Sequence, residues 1–540
     1  MRFVHFPLIA GGLLLGGLVG CSPGIQSQRD DGGAGVDAGD AGTDGGADAG
    51  PDAGPDAGAD AGTDGGVDGG GDGGVACAAP SDDWLVYRHD LGGSGRSADR
   101  LPTSAAAALT QTWAFTDGTH GGYNYANPIV DGRVLYLSSG IGYLFALDTS
   151  TGDQLWNAPA YAPTFVQCDG TVTGPKGPIG APAVVGSRVF MPSGSGSVDA
   201  YDKVTGVKLW STTIADPMQN EFIFSSAFPA RGTLYIGVAS IFDCNQVVSG
   251  RVVGIDELTG AVVGTWWGAA LPDPTNHGAG ATVWSSPSYD PQLDRIFITT
   301  GTIANGDTKA QQPLAQAIVA FDPNPTTGAD GQPEFKTLDY YSPITTLFAE
   351  DLEFGASPLL FDAGGRHLIG AASKGGIFWV LDRTNLAGGI VWQQTISGFG
   401  FNPDQGDGSI VSATVSADGA TVFVGGGITA DGSYQGGVYA FDAATGAPKW
   451  TFHTAGFVLA ALASAGDVVF ATATDKTTYK GTIYALNAAD GSVLFHQGGF
   501  KPLFGEVTYA RGKLFVPEIG TVANGGGRLL AFTPGPVCPP

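Results

Sequence analysis

Seven histidines, five cysteines and 51 carboxylates are the side chains from which this 540-residue chain would ordinarily build a catalytic or metal centre. No histidine has a Ser/Asp partner in hydrolase order or a second ligand at zinc spacing, so neither a nucleophilic hydrolase nor a histidine metal site is indicated. No two cysteines have C-x-x-C spacing, and C-x-x-C-H is absent, which removes a zinc ribbon and covalent haem. The carboxylates fall into three groups. Asp40 to Asp72 recur at every fourth residue, without the EF-hand ligand pattern or the Ca²⁺-binding glycine-aspartate nonapeptide. Asp148, Asp202, Asp256, Asp322, Asp382 and Asp442 each close one copy of a repeat, and such repetition fits turn capping better than a single reacting centre. The irregular stretches around Cys244, Trp284, Glu353 and Lys374 break that repetition. A specialised site belongs there.

The elements that would position such a site begin after a leader. Phe3 to Gly20 is apolar apart from His5 and reads as a secretion signal, since Pro7 and many glycines disfavour a permanent membrane helix. Leu18-Val19-Gly20-Cys21 resembles the lipobox of bacterial lipoproteins, which implies cleavage after residue 20, a lipid on Cys21 and, with Ser22 following, an outer-membrane address whose side stays open. Residues 21–29 would be the lipidated N-terminus and 30–76 a disordered arm. The stretch 30–72 carries 12 aspartates and no basic residue, and glycine content and like-charge spacing both oppose helix. Random-coil scaling gives the arm an end separation of roughly 40 Å. From Cys77 onward, 39 acidic against 23 basic residues leave a net charge of −16, which argues against nucleic acid as a partner.

Residues 77–540 are read as an all-β domain, an eight-bladed β-propeller of four-stranded antiparallel blades. The repeat is apolar-x-Ala-apolar-Asp, a short turn ending in Gly, then Trp, as in Phe145-Ala146-Leu147-Asp148 with Thr151-Gly152 and Trp156. Successive Asp positions, ending on Asn487, lie 54, 54, 66, 60, 60 and 45 residues apart. Asp and Thr-Gly suit a tight turn with positive φ, and the alternating runs on either side suit strands. Trp113-Ala114-Phe115 and Leu529-Leu530-Ala531-Phe532 read as complementary parts of one blade, so terminal strands are expected to close the ring. The four cysteines after Cys21 allow two disulfides in three connectivities. Cys77 with Cys538 is preferred because closure brings the ends together, and Cys168 with Cys244 because both lie in long loops of neighbouring blades.

These Ala-x-Asp-x-x-Thr-Gly-x-x-x-Trp units, with the opening Trp84-Leu85-Val86-Tyr87-Arg88-His89-Asp90, resemble the pyrroloquinoline quinone (PQQ) propeller-repeat superfamily. Thr282-Val283-Trp284-Ser285-Ser286-Pro287, Glu353-Phe354-Gly355-Ala356-Ser357-Pro358 and Ser373-Lys374-Gly375-Gly376-Ile377 look similar to quinoprotein alcohol and polyvinyl-alcohol dehydrogenases. That resemblance implies Trp284 as the stacking floor for the quinone, Thr282 as a hydrogen-bond donor to it and Lys374 as its cationic partner. It also implies Glu353 or Asp351 as the general base, and Glu353 with Asp243 as Ca²⁺ ligands. The pattern is incomplete: Thr302 stands where an Asn ligand is expected, and the loop before Cys244 lacks a Glu unless Asp243 replaces it. The residues therefore favour a membrane-tethered binding or scaffolding propeller without cofactor, facing an unidentified protein, glycan or small ligand. The alternative is a PQQ- and Ca²⁺-dependent alcohol or polyol dehydrogenase that passes electrons to a separate acceptor.

Overall fold

The computed structural model describes residues 79–537 apart from 117–126, 141, 161–163, 167–169, 174–176, 178, 241–247, 270–277, 305–306, 344–351, 401 and 521–525. The expected leader, Cys21, the aspartate arm, all five cysteines, Asp243 and Asp351 lie outside the described residues.

The chain forms a β-propeller. Seven blades, here A to G, are each built around strands that follow one another along the chain, spanning 129–159, 183–213, 228–267, 288–341, 359–395, 414–453 and 463–500. A further sheet is composite: Thr110–Phe115 pairs antiparallel with Arg528–Thr533, which continues to Lys513–Glu518 and Thr508–Ala510. In most blades the first strand is buried and the fourth is largely exposed, as in Ala183–Val185 against Lys208–Thr213, so first strands face the axis and fourth strands the rim.

The expected closed ring of eight uniform four-stranded antiparallel blades is corrected in three respects. Only seven blades are made of consecutive strands. Blade G gains Arg96–Ser97 as a parallel fifth strand, and blade C extends to seven strands through Glu221–Phe222 and a hairpin, Thr326–Thr327 with Pro333–Glu334, that joins in parallel. No sheet returns to hydrogen-bond its own first strand, so the ring is held by side chains packed between separate sheets rather than by a continuous ladder.

The repeat residues make those junctions. Asp202 caps its turn by accepting from the Val204 and Thr205 amides and the Thr205 hydroxyl, and these bonds hold its carboxyl below the usual range. Gly206, at φ +69°, exposes a bare Cα face on which the Trp156 ring of the preceding blade lies, so a Cβ there would come within 2.6 Å of the ring. The Trp156 indole N–H also donates to Lys203 O at 3.2 Å. The same pairing links Trp113 to Gly152 and Thr149 O, Trp392 to Gly446 and Ala443 O, and Trp450 to Gly491 and Ala488 O. Each tryptophan thus fastens its own blade to the turn of the next.

Two further devices tie the inner strands. Just ahead of them, a serine hydroxyl in each of four blades accepts a backbone N–H from the preceding blade: Ala181 N to Ser226, Ser226 N to Ser286, Ser286 N to Ser357 and Ser357 N to Ser412, at 2.8–3.0 Å. Residues 84–97 cross the axis beyond that ring. Their backbone bonds to Val130, Val184, Tyr289, Leu360 and Ser464, and Arg88 Nη2 donates to Ala413 O at 2.6 Å, so this one segment touches blades A, B, D, E, F and G. Arg88 is fully buried and faces Glu506, whose carboxyl also accepts from Tyr87 and Asn127. Burial raises the Glu506 pKa although Arg88 opposes the rise.

Candidate functional site

Chain order along the inner strands puts residues 282–284 and 353–355 first, the serine ring at 286 and 357 next, and the crossing segment at 289 and 360 last. The axis is therefore plugged on the side away from the irregular loops that the sequence singles out. Those around Trp284, Glu353 and Lys374 come from blades D and E, and the stretch at Cys244 lies outside the described residues. Thr282 to Trp284 lead into Ser288–Asp290, Thr300 to Thr302 follow Arg295–Thr299, Glu353 to Gly355 lead into Leu359–Ala363, and Lys374 sits in the turn between Arg366–Ala372 and Ile377–Asp382.

Short backbone bonds lock these loops together. Gly301 N donates to Thr282 O at 2.7 Å, Ala281 N to Thr302 O at 2.8 Å and Lys374 N to Glu353 O at 3.0 Å. The Lys374 turn is fixed by Gly376 at φ +77° and by bonds from Ser373 N to Ile377 O and from Gly376 N to Ser373 O. Two glycines permit the close approach. A Cβ on Gly301 would lie 2.5 Å from both Glu353 Oε2 and Thr282 Oγ1, and one on Gly355 would lie 2.2 Å from Cη2 of Trp284.

Thr282, Trp284, Glu353 and Lys374 are thereby brought together. Lys374 is completely buried, and its ammonium donates to Glu353 Oε1 at 2.8 Å. The same ammonium lies 5.2 Å from the centroid of the Trp284 ring, a cation–π distance. Glu353 Oε2 accepts the Thr302 amide at 2.9 Å. A buried ion pair with this geometry and an extra amide donor offsets much of its desolvation cost. The side chain of Thr302, which replaces the expected Asn, leaves its hydroxyl buried without a hydrogen-bond partner, as is the indole Nε1 of half-buried Trp284. Orphaned buried polar atoms are uncommon in native structures, and a ligand or a bound water is one partner that such atoms can take.

A flat anionic group with ring oxygens suits this set: an indole face, a buried ammonium, a threonine hydroxyl and two unsatisfied polar atoms. A divalent cation is less well served. Among the described residues no three His, Cys, Asp or Glu side chains gather as metal ligands, and Glu353 already spends both oxygens on Lys374 and Thr302.

One carboxylate near the site is not suggested by the repeat. Asp404 lies in the short 3₁₀ turn Pro403–Gln405, within an insert that packs on the Lys374 turn: Gly400 N donates to Lys374 O, and a Cβ on Gly408 would come within 2.3 Å of that oxygen. Asp404 Oδ1 is buried without a hydrogen-bond partner. Burial raises its pKa, hydrogen bonds from the Gln405 side chain and its own backbone amide and then the charge of Lys374 oppose the rise, and Asp407 adds to it. The signal available in the sequence was only an acidic residue in a glycine-rich interruption between repeats.

Fold and site together define a PQQ-type β-propeller related to quinoprotein dehydrogenases. A PQQ-repeat family model described as outer membrane protein assembly factor BamB matches residues 71–322 and 377–535, and the chain belongs to that family. Its relatives include the quinohemoprotein alcohol dehydrogenase ADH IIB of Pseudomonas putida, 25% identical over 53% of this chain and 43% of that protein. The quinoprotein alcohol dehydrogenase PedH of Pseudomonas putida is 24% identical over 81% of this chain and 78% of its own length. The polyvinylalcohol dehydrogenase of a Pseudomonas species is 27% identical over 73% and 64% respectively. This chain thus spans less than two thirds of the first and third of these relatives. Among solved structures, a europium-containing methanol dehydrogenase superposes with a TM-score of 0.63 at 18% identity, covering 84% of this chain and 98% of that one, a likeness of fold.

Proposed function

We propose that this chain is an extracytoplasmic quinoprotein-type dehydrogenase of alcohols or polyols, tethered through Cys21 to the outer membrane and passing electrons to a separate acceptor. The observation that carries the reading is the buried Lys374–Glu353 pair set against the face of Trp284, with the unpartnered Trp284 Nε1 and Thr302 Oγ1 beside it. These features favour the dehydrogenase over the cofactor-free scaffold that the residue pattern alone had put first.

PQQ, when bound, supplies the quinone that accepts hydride from the alcohol carbon. The chain's own contributions are positional and electrostatic. Trp284 offers an apolar plane, and Gly301 and Gly355 keep the cradle free of a Cβ. Lys374 presents fixed positive charge where negative charge develops, in a buried setting where it acts strongly. Thr282 contributes a hydroxyl, and Glu353 holds the ammonium in place. Residues 84–97 lie on the far side of the serine ring from the site. No step is assigned to Ca²⁺, because its ligand set is not assembled among the described residues.

The test is reconstitution of the purified chain with PQQ, with and without Ca²⁺, followed by equilibrium dialysis and dye reduction with a panel of alcohols and polyols. Stoichiometric quinone retention with substrate-dependent dye reduction supports the reading, and failure to retain quinone under both conditions refutes it. Membrane fractionation of Cys21→Ser tests the tether, which predicts release into the soluble fraction. A non-catalytic binding propeller is the second reading, favoured by the engagement of both Glu353 oxygens within the protein.

A further inference from the structure

We infer that Gln312 is a positioning residue of this site: it clamps residues 279–284, the strap that carries Thr282 and Trp284, to the loop that carries Thr302, and so fixes the plane on which a quinone would stack. The inference rests on the dehydrogenase reading and adds to it a residue outside the three motifs that carry the family resemblance.

The strap needs a clamp because its backbone is strained. Gly280 has φ +96°, and Ala281, directly before Thr282, has φ +49°. Glycine takes such angles freely, whereas the Cβ of an alanine crowds the carbonyl that follows, so Ala281 keeps this shape only while its neighbours impose it. A return to negative φ there would swing Thr282 and Trp284 out of place. Backbone bonds stitch the strap on both sides. Gly280 N donates to Val248 O at 2.9 Å and Gly250 N to Gly280 O at 3.0 Å, while Ala281 N donates to Thr302 O at 2.8 Å and Gly301 N to Thr282 O at 2.7 Å.

Gln312 supplies the side-chain part of the clamp. It is 1% exposed, in the insert between the second and third strands of blade D, and both ends of its amide are engaged. Its Nε2 donates to Asp307 Oδ2 and, at 2.8 Å, to the carbonyl of Ala279, the residue before the left-handed pair. Its Oε1 accepts the amide of Ala304, two residues after Thr302, at 3.0 Å. A Cβ on Gly280 would come within 2.2 Å of that oxygen, so the amide lies directly on the strap. The contacts then close a circuit: the Thr302 amide holds Glu353, Glu353 holds the Lys374 ammonium, the ammonium faces the Trp284 ring, and Gln312 joins the strap of Trp284 back to the Thr302 loop. Opening the circuit at Gln312 lets the indole drift relative to the ammonium, and displacements of about 1 Å at such a site cost about 100-fold in rate.

Four full-length proteins test this: wild type, Gln312→Glu, Asp307→Asn and the double variant. Gln312→Glu is isosteric and keeps the acceptor for Ala304 N, but it loses the donors and sets a carboxylate against Asp307. Asp307→Asn keeps an oxygen for Gln312 Nε2 and, in the double variant, supplies an N–H for the new carboxylate. Three quantities are measured: amide hydrogen exchange of the protein without cofactor, the dissociation constant for PQQ by equilibrium dialysis, and kcat and KM with an alcohol at saturating PQQ. Gln312→Glu should speed exchange at Ala281, Val283 and Gly301 by at least about tenfold while leaving Thr421–Gly426 unchanged. It should weaken PQQ binding and lower kcat, each by about 10–100-fold, with KM for the alcohol within about threefold of wild type. Asp307→Asn alone should stay within about threefold of wild type throughout, and the double variant should regain at least about fivefold over Gln312→Glu in PQQ affinity. Faster exchange with unchanged PQQ affinity and kcat would make Gln312 merely structural and overturn the inference, as would unchanged exchange in the strap or a double variant no better than the single one. Should Gln312→Glu not fold, Gln312→Met, which removes the same bonds without adding charge, takes its place under the same exchange, affinity and kcat criteria. These failures leave quinone binding by wild type intact, whereas a wild type that binds no quinone refutes the dehydrogenase reading and the inference with it.

Discussion

Substituting alanine at Gly446 and at Gly432 separates the cost of backbone conformation from the cost of losing a blade junction. The two glycines have nearly the same φ, +72° and +71°. An L-residue in this region costs about 1 kcal/mol at either position. They differ in what the new methyl meets. At Gly432 nothing lies within 4 Å, whereas at Gly446 it would sit 2.6 Å from Cδ2 and Cε3 of Trp392, roughly an ångström inside contact. Trp392 cannot simply swing away, since it is 7% exposed and its indole N–H donates to Ala443 O at 3.1 Å. Overpacking of this kind adds about 1–3 kcal/mol. Gly432→Ala should therefore cost about 1 kcal/mol and Gly446→Ala about 2–4 kcal/mol. At the usual entropy of unfolding per residue, a domain of this size loses about 1 °C of Tm per kcal/mol. Differential scanning calorimetry on the two variants at one scan rate resolves the expected gap of roughly 1–3 °C. Equal losses would mean that the tryptophan lying on the next blade's turn contributes nothing to ring stability, and would refute the account of the junctions given above.

Lys374→Met should destabilise the protein by about 3–5 kcal/mol in urea unfolding, because it removes the ammonium that pairs with buried Glu353. Adding Glu353→Gln should recover more than half of that loss, and a double variant no better than the single one would show that the pair is not the coupled unit described. His89 gives a pH signature: burial disfavours its charge, but bonds and charges from Asp82 and Asp90 prevail and raise its pKa from 6.5 to about 9. A raised histidine stabilises fully below its unfolded pKa and loses that contribution as pH rises through the folded one. His89→Gln should accordingly cost roughly 1–3 kcal/mol at pH 6 and almost nothing near pH 10, and a deficit independent of pH would exclude a charged His89 in the folded state.

How much of this was legible beforehand depends on the range over which each feature is determined. The Asp202–Gly206 turn and its relatives are local, so residue type alone points to the carboxylate cap and the positive-φ glycine. The role of the following tryptophan is half legible. A large ring opening an outer strand must pack between sheets, but its seat on the next blade's glycine spans 54 residues in the case of Trp392 and Gly446 and leaves no periodic trace. The added strands of blades C and G are two residues long, too short for alternation to show, and this is why uniform four-stranded blades were expected. At the site, the motifs around Thr282, Trp284, Glu353 and Lys374 could be singled out, whereas the mutual saturation of Glu353 and Lys374 could not. That pairing depends on how the Lys374 turn folds back on the 353 loop. Asp404 was invisible for a related reason, since a single aspartate among glycines has the composition of an ordinary turn and only burial distinguishes it.

The segment at residues 84–97 also carries a consequence for biogenesis. It emerges before any blade, yet its partners are spread through the chain as far as Glu506, 419 residues beyond Tyr87, and Thr110–Phe115 waits for Arg528–Thr533. Contacts at such separation carry the largest loop-closure entropy and form late. A nascent chain would therefore hold its first strands unpaired until its last ones arrive, exposed to proteases and to pairing with other chains throughout that interval. A truncation that removes only the final strand would then unseat both ends of the molecule at once.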